Sequence, residues 1–370
     1  MFFVFLSHFA ESYVRPNGKF ELLSILYHIT MVASPTFMLI SGIVLGHLYE
    51  MRKDDFQPLK RTLIGRGLFL LTIGRVLIML AHIPLAGGFI SMLHWGFITD
   101  AIGVSVILGP LLIQRVNSTV RLVAGIGLFA LSRTLVFTWY PTQEFMTVVK
   151  YLLFGPAAGY HNAIYADVFP IVPWFSVYLV GTCIGTRIGT LHVRGEMGKA
   201  NAFILALASV TISFLVLGPV LIEYINVQSL EHITSSWPLM IHIEKLPPSL
   251  SYFLFYGGIG LLILYAYSRL ESNSVVASIA RFTGMIGQVS LFVFIVQYFV
   301  YFSLLVVLKL QYTVFWPLYF VASVFVVCVP SKLWYDRGLN KYLSVPYDKI
   351  WSRTKGLFGN VPRAERMGVR

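Results

Sequence analysis

Long apolar stretches separated by short polar connections make up most of this chain. Stretches of about 20 apolar residues can cross a bilayer as helices, whereas barrel strands would give shorter, alternating segments. We assign spans at 23–49, 64–84, 93–114, 121–139, 170–190, 200–225, 250–269, 283–308 and 313–331. A shorter apolar run at 1–14 is interpreted as part of an incomplete first span. The pattern therefore predicts an all-α, polytopic transmembrane helix bundle of about ten helices.

The same pattern divides the chain into two regions. Residues 1–331 form a predicted transmembrane domain whose first helix is incomplete, and residues 332–370 form a basic cytoplasmic tail suited to anionic lipid headgroups. Hydrophobic residues make up 57% of the chain, charged residues only 12%, and mean hydropathy is +0.75. These values exclude an ordinary soluble domain.

The net charge of +12 would suggest a nucleic-acid partner in a soluble protein. Here the basic residues follow a membrane pattern instead. Of the 28 Lys and Arg, 21 fall in one set of alternate connections and 5 in the other. Because the cytoplasmic side carries the excess, both termini are predicted in the cytoplasm of a protein of the cell inner membrane. We expect the lipid bilayer, and no nucleic acid, as a partner.

Three charged residues interrupt the apolar spans: Arg75, Asp100 and Arg133. Charge is costly inside a bilayer, so it is usually retained for a function or in a tight pairing. Counting the helical rise from the outer ends of their spans places all three at a similar depth. Two interpretations are open at this point: an ion-pair clasp between three helices, or the polar floor of a reaction chamber.

Histidines gather near the predicted outer ends of the spans, where His8, His28, His82 and His94 would form the walls of such a chamber. Histidine is the usual general base near neutral pH. An interfacial histidine can also simply cap a helix or contact headgroups, so the pattern alone does not decide between these roles.

At the predicted cytoplasmic end of the third span, Lys60, Arg61 and Arg66 form a basic cluster. Guanidinium groups match phosphate oxygens with paired hydrogen bonds, so the cluster could hold the phosphates of an anionic donor. The alternative is that these side chains extend to lipid headgroups. Both interpretations place the cluster at the inner membrane surface.

No sequence motif indicates nucleotide hydrolysis, a dinucleotide cofactor, a zinc protease or a redox pair. The two cysteines, Cys183 and Cys328, both fall in apolar spans, where they are expected to behave as small buried hydrophobes. We therefore predict neither a metal site nor a tightly bound cofactor.

Three stretches, taken in order, resemble a known family. They are ASPTFMLISGIVLG at 33–46, a segment at 152–185 that contains FPIVPW, and KLPPSLSYFLFYGGIGLLIL at 245–264. Their order and spacing are similar to those of the heparan-alpha-glucosaminide N-acetyltransferase-like bacterial membrane proteins, within the wider transmembrane acyltransferase superfamily. The chain departs from that pattern in lacking a basic stretch before the first span, and in having Gln297 where relatives often have histidine.

The resemblance implies acyl transfer across a membrane. Acetyl-CoA or another acyl-CoA would bind from the cytoplasm, and an extracytoplasmic glycan or other polar acceptor would bind on the far side. A histidine would act between them as general base or acyl carrier. On this pattern His8 matches the family's first-span histidine, and Arg66 matches an arginine associated with the donor.

The sequence therefore predicts a membrane acyltransferase. The predicted catalytic residues are His8, His28, His94 and Asp100, and the predicted donor-binding residues are Lys60, Arg61, Arg66 and Arg75. The alternative is a transporter or flippase that uses Arg75, Asp100 and Arg133 as substrate or proton-relay groups. The oligomeric state is left open, and a homodimer is compatible with the sequence.

Overall fold

A computed structural model of the protein describes residues 1–89, 92–93, 95–156, 169–224, 245, 247–270 and 273–346, with the backbone alone for 215–224. Within these ranges the chain is helical and has no β-strand. The helices are α1 Phe2–Val14, α2 Phe20–Met51, α3 Lys53–Ala86, α4 Ile98–Arg115, α5 Ser118–Thr138, α6 Glu144–Leu153, α7 Ile171–Val193, α8 Met197–Tyr224, α9 Leu250–Leu270, α10 Ser274–Gln288, α11 Ser290–Leu308 and α12 Trp316–Asp336.

Nine of these helices, counting only the described residues, are long and apolar enough to cross a membrane; α1, α6 and α10 are the others. The predicted all-α polytopic bundle is therefore confirmed, and the chain is a multi-pass membrane protein. The shorter apolar helix α1 occupies the place of the predicted incomplete first span.

Local sequence signals account for several helix ends. α3 ends at Ala86 and is followed by Gly87, which adopts a left-handed conformation with φ of 71° that suits glycine. α5 begins after Asn117, whose side-chain oxygen accepts a hydrogen bond from the Val120 N–H at 2.8 Å. α12 begins at Trp316 with a proline in its first turn.

Two predicted span boundaries need correction. The predicted span 283–308 is divided at Val289, because a separate amphipathic helix, α10, precedes the membrane-length helix α11. The predicted span 93–114 begins as a helix only at Ile98, since residues 95–97 are extended or irregular. Because of the second correction, Asp100 lies in the first turn of α4 and not deeper inside a helix.

Helices α2 and α7 pack with their backbones in direct contact through glycines. A Cβ added to Gly42 would lie 2.2 Å from the Tyr178 carbonyl oxygen, and one added to Gly185 would lie 2.0 Å from the Ile43 carbonyl oxygen. Gly42 and Gly46 form a G-x-x-x-G spacing of the kind that permits close approach of membrane helices. This contact fixes α2 in the centre of the bundle.

The amphipathic helix α6 is anchored to the end of α5 by a buried lysine. The Lys150 ammonium group donates to the Val136 carbonyl at 3.1 Å and lies 4.7 Å from the centre of the Tyr140 ring. Val136 is in the last turn of α5, where carbonyl groups lack helical partners. Burial lowers the pKa of the Lys150 ammonium group below its ordinary value.

Candidate active site

A cavity of about 170 Å³ opens near the end of the bundle where α3 ends and α4 begins. It is bounded by residues from α1, α2, α3, α4 and α11, together with Phe169 and Lys245. Its volume corresponds to roughly five or six water molecules. The wall combines aromatic rings with a few polar side chains, as is usual for a small-molecule site.

His8 brings the first helix into this cavity. Its ring lies 5.0 Å from the ring of Tyr298 and 5.0 Å from the ring of Phe302, measured between centroids. The buried Nδ1 atom of His8 has no hydrogen-bond partner among the residues that the structure describes. The structure therefore places the predicted first-span histidine at the cavity, and no group in the described part of the chain fixes the tautomer through Nδ1.

His82 faces the same cavity from α3. Its Nδ1 lies 2.8 Å from the Ile78 carbonyl oxygen, one turn earlier in the helix. Its ring stacks on Phe302 at a centroid separation of 4.4 Å and an interplanar angle of 21°, and lies 5.1 Å from Tyr298. The two histidines thus pack against the same two aromatic rings of α11.

Three π-helical turns border this region. They are Ala10–Val14, which begins two residues after His8, Leu70–Gly74 directly before Arg75, and Phe299–Leu304 directly after Tyr298. Single π-turns inside α-helices are frequent at functional sites, because the wider turn redirects the side chains beside it. The turn at Leu70–Gly74 also changes the helix phase between Arg66 and Arg75.

Arg75 and Asp100 form an ion pair beside the cavity. The same carboxylate accepts the Phe97 N–H at 3.1 Å, and Arg75 also donates to the carbonyls of Trp95 at 3.0 Å and Leu93 at 3.3 Å. The pair therefore holds the non-helical chain before α4, which supplies Trp95 and Phe97 to the cavity wall. This geometry supports a clasp that shapes the site, and direct roles for Asp100 in catalysis and Arg75 in donor binding stay predictions.

Arg133 has a different set of contacts. Its guanidinium donates to the Pro248 carbonyl at 3.4 Å and lies 5.2 Å from the Phe137 ring centre. It thereby connects α5 to the chain that precedes α9.

The three predicted donor-binding cations at the other end of α3 differ in their surroundings. Lys60 donates to the side-chain oxygen of Gln114 at 2.8 Å, which ties α3 to the end of α4. Arg61 is exposed, and Arg66 is half-buried. Arg66 has no hydrogen-bond or ion-pair partner within the described ranges, so its guanidinium is available to an anion.

The chain matches a model of a known protein family. The model of the family described as "Heparan-alpha-glucosaminide N-acetyltransferase, catalytic" matches residues 2–216, more than half of the chain. The chain belongs to this family. No curated protein and no solved structure gives a significant match. Membership confirms the resemblance seen in the sequence and supports transferase activity at the coarse level of the family.

The matched region of the heparan-alpha-glucosaminide N-acetyltransferase family contains both cavity histidines and Arg66. Tyr298 and Phe302, which form the aromatic wall between the histidines, lie outside it in α11. The cavity is therefore completed by a part of the chain that the family match does not cover.

The remaining predicted residues occupy other positions. His28 is exposed and bonds to the Ser24 carbonyl at 2.7 Å, and it does not line the cavity described above. His94 lies outside the described residues. Gln297 is fully buried, and neither amide atom has a partner in the described part of the chain. Their catalytic roles are not tested by these positions.

Sequence reasoning left His82, Tyr298 and Phe302 out of the predicted catalytic set. The signal for His82 was present, since it shares a helical face with Arg75 seven residues earlier. The two aromatic residues are four apart in α11 and hence on one face, but a Tyr and a Phe in an aromatic run give no local sign of facing a cavity.

Proposed function

We propose that this protein transfers an acyl group, in the first instance acetyl, from acyl-CoA to an extracytoplasmic sugar or other polar acceptor. The observation that carries the proposal is the cavity that holds His8 and His82 in a member of an N-acetyltransferase family. The protein would act in the cell inner membrane with both termini in the cytoplasm, and would carry no tightly bound cofactor.

Acyl transfer requires a group that takes the proton of the acceptor and a site that holds the reacting carbonyl. The cavity offers two imidazoles for proton transfer, and aromatic rings that exclude water around them. We place His8 next to the thioester, because it is the histidine that the family pattern implies and its ring faces the cavity.

The donor would reach this cavity from the basic end of the bundle. Arg66, half-buried and unpaired among the described residues, would bind a phosphate of the donor, with Lys60 and Arg61 nearby in sequence. Coenzyme A in extended form is about as long as half a bilayer. Phosphates near one headgroup layer are therefore compatible with an acyl group near His8.

The transporter alternative depended on Arg75, Asp100 and Arg133 as substrate or relay groups. Arg75 and Asp100 pair with each other and hold the backbone beside the cavity, and Arg133 contacts the Pro248 carbonyl, so all three have structural contacts. No observation in the described residues specifically favours transport over transfer.

The proposal is tested with purified full-length protein, acetyl-CoA and an acceptor. His8→Ala should abolish transfer and leave acetyl-CoA binding nearly intact, because binding depends on the phosphates. Arg66→Ala should weaken acetyl-CoA binding several-fold or more, since a charge-assisted phosphate contact is lost. Arg194→Ala, which removes one positive charge at an exposed position just after α7 and outside the predicted donor-binding set, is the control.

Two results would contradict the proposal. If wild-type protein neither binds acetyl-CoA nor transfers its acetyl group, the proposed activity is wrong. If His8→Ala transfers at the wild-type rate and Arg66→Ala binds the donor normally, the proposed reacting centre and donor path are wrong.

A further inference from the structure

We propose that His82 is the general base of the transfer and takes the proton of the acceptor at its Nε2 atom. This inference rests on the proposed function and deepens it, because it assigns proton transfer to one of two histidines at the cavity. It starts from a hydrogen bond that the other histidine lacks.

The bond to Ile78 fixes the tautomer of His82. A carbonyl oxygen can only accept a hydrogen bond, so the Nδ1 atom 2.8 Å away from it must carry the proton. In the neutral ring Nε2 then has a free lone pair, which is the form that a general base needs. Histidine bases are commonly oriented in this way by a second group on the opposite nitrogen.

Packing holds the ring of His82 in place. The side chain is only 5% exposed and stacks on Phe302. The residue after Phe302, Ser303, donates from its hydroxyl to the Ala81 carbonyl at 2.7 Å, which ties α11 to α3 directly beside the histidine. Because His82 lines the cavity and its Nδ1 is held by the backbone, Nε2 is the nitrogen left to meet a ligand.

His8 is built differently. It is half-buried against the same aromatic rings, and its Nδ1 has no partner within the described residues. A histidine without such a hydrogen bond exchanges between its two neutral tautomers. The nitrogen that must accept the proton then carries the lone pair for only part of the time. The geometry thus assigns proton transfer to His82 and contact with the acyl group to His8.

The reaction balances with these roles. The acceptor oxygen or nitrogen attacks the carbonyl carbon of the thioester while its proton moves to Nε2 of His82. The tetrahedral intermediate then breaks its C–S bond, and the thiolate of coenzyme A leaves. The imidazolium returns the proton to that thiolate, so His82 ends neutral with Nδ1 still bonded to Ile78.

The test compares two acceptors in the His82→Gln variant of the full-length protein with acetyl-CoA as donor. D-Glucosamine, whose amino group is largely protonated near neutral pH, needs a base. Hydroxylamine is largely unprotonated there and is a strong nucleophile, so it depends on a base much less. We expect acetyl transfer to D-glucosamine to fall by roughly 10²–10⁴-fold, and transfer to hydroxylamine above the uncatalysed rate to fall far less.

The matched control is His192→Gln, which should leave both rates unchanged. His192 is exposed and lies at the opposite end of the bundle. Acetyl-CoA binding and thermal stability report whether His82→Gln is folded. If it is not, His82→Ala with added imidazole makes the same comparison, since free imidazole can occupy the vacated space and restore the glucosamine reaction.

The outcomes distinguish failure of the His82 assignment from failure of the proposed function. If wild-type protein transfers acetyl to D-glucosamine and His82→Gln does so equally fast, His82 is not the base, and the proposed function stands. If both acceptors lose the same factor while acetyl-CoA binding is intact, His82 has a structural role and the inference is wrong. If wild-type protein neither binds acetyl-CoA nor transfers acetyl to either acceptor, the proposed function itself fails.

Discussion

The glycine contact between α2 and α7 gives a sharp test of how the bundle is held together. In Gly185→Ala the new methyl carbon would lie 2.0 Å from the Ile43 carbonyl oxygen and 2.7 Å from its carbonyl carbon, where ordinary contacts are 3.4–4 Å. The obstructing atoms belong to the backbone of a helix, so a side-chain rotation cannot relieve the clash. The two helices must separate by roughly 1 Å or more at this point.

The free-energy cost of this clash depends on which atoms the new methyl group meets. Adding a methyl group to a well-packed interior costs about 1–3 kcal/mol, and occasionally more. Gly185→Ala should lie at the upper end of that range, because backbone meets backbone. The matched control is Gly127→Ala on α5, where an added Cβ meets nothing within 4 Å. There the higher helix propensity of alanine should leave stability unchanged or raise it by up to about 1 kcal/mol.

The assay is thermal denaturation of both variants in the same detergent. At each temperature it measures the fraction of the protein that stays monodisperse. We expect Gly185→Ala to lose several degrees relative to Gly127→Ala. Activity should fall as well, because α2 carries Ser34 and Phe37 into the cavity wall and moves with the clash. Equal melting temperatures for the two variants would refute the close helix contact and the argument built on it.

Two further predictions concern buried charge. Asp100→Asn should destabilise the protein by about 3–5 kcal/mol because it leaves Arg75 without its carboxylate, and the double variant Arg75→Gln/Asp100→Asn should recover part of that loss. Thermal denaturation of Asp100→Asn, Arg75→Gln and the double variant checks this, and additive effects would show that the two residues are not coupled. Burial lowers the pKa of Lys150 from an ordinary value of about 10.5, so between the lowered and the ordinary pKa the unfolded chain binds more protons and stability rises with pH. Wild-type protein should therefore gain stability relative to Lys150→Met as the pH rises from neutral towards the ordinary lysine pKa of about 10.5, and an unchanged difference in melting temperature over that rise would contradict the burial of a charged lysine.

The sequence by itself determined which segments leave water. Apolar length predicted the spans, because a helix must remain apolar over the thickness of a bilayer, and ordered motifs predicted the family. The same reasoning gave an ion pair of Arg75 and Asp100 as one of two open interpretations, since opposite charges in neighbouring apolar spans lower their cost by pairing. His8 was also identified at this level, through resemblance.

Only the tertiary structure decided how these segments meet. Lipid-facing and protein-facing positions of a membrane helix are similarly apolar, so hydrophobic periodicity does not state which faces are in contact. The start of α4 at Ile98 and the stacking of His82 on Phe302 depend on helix register and rotation. So does the position of Arg66, which has no anionic partner among the residues that the structure describes. Helix register and rotation are set by side-chain packing between segments that are distant in sequence. No local sequence pattern around His82 indicates that an aromatic residue of α11 lies against it.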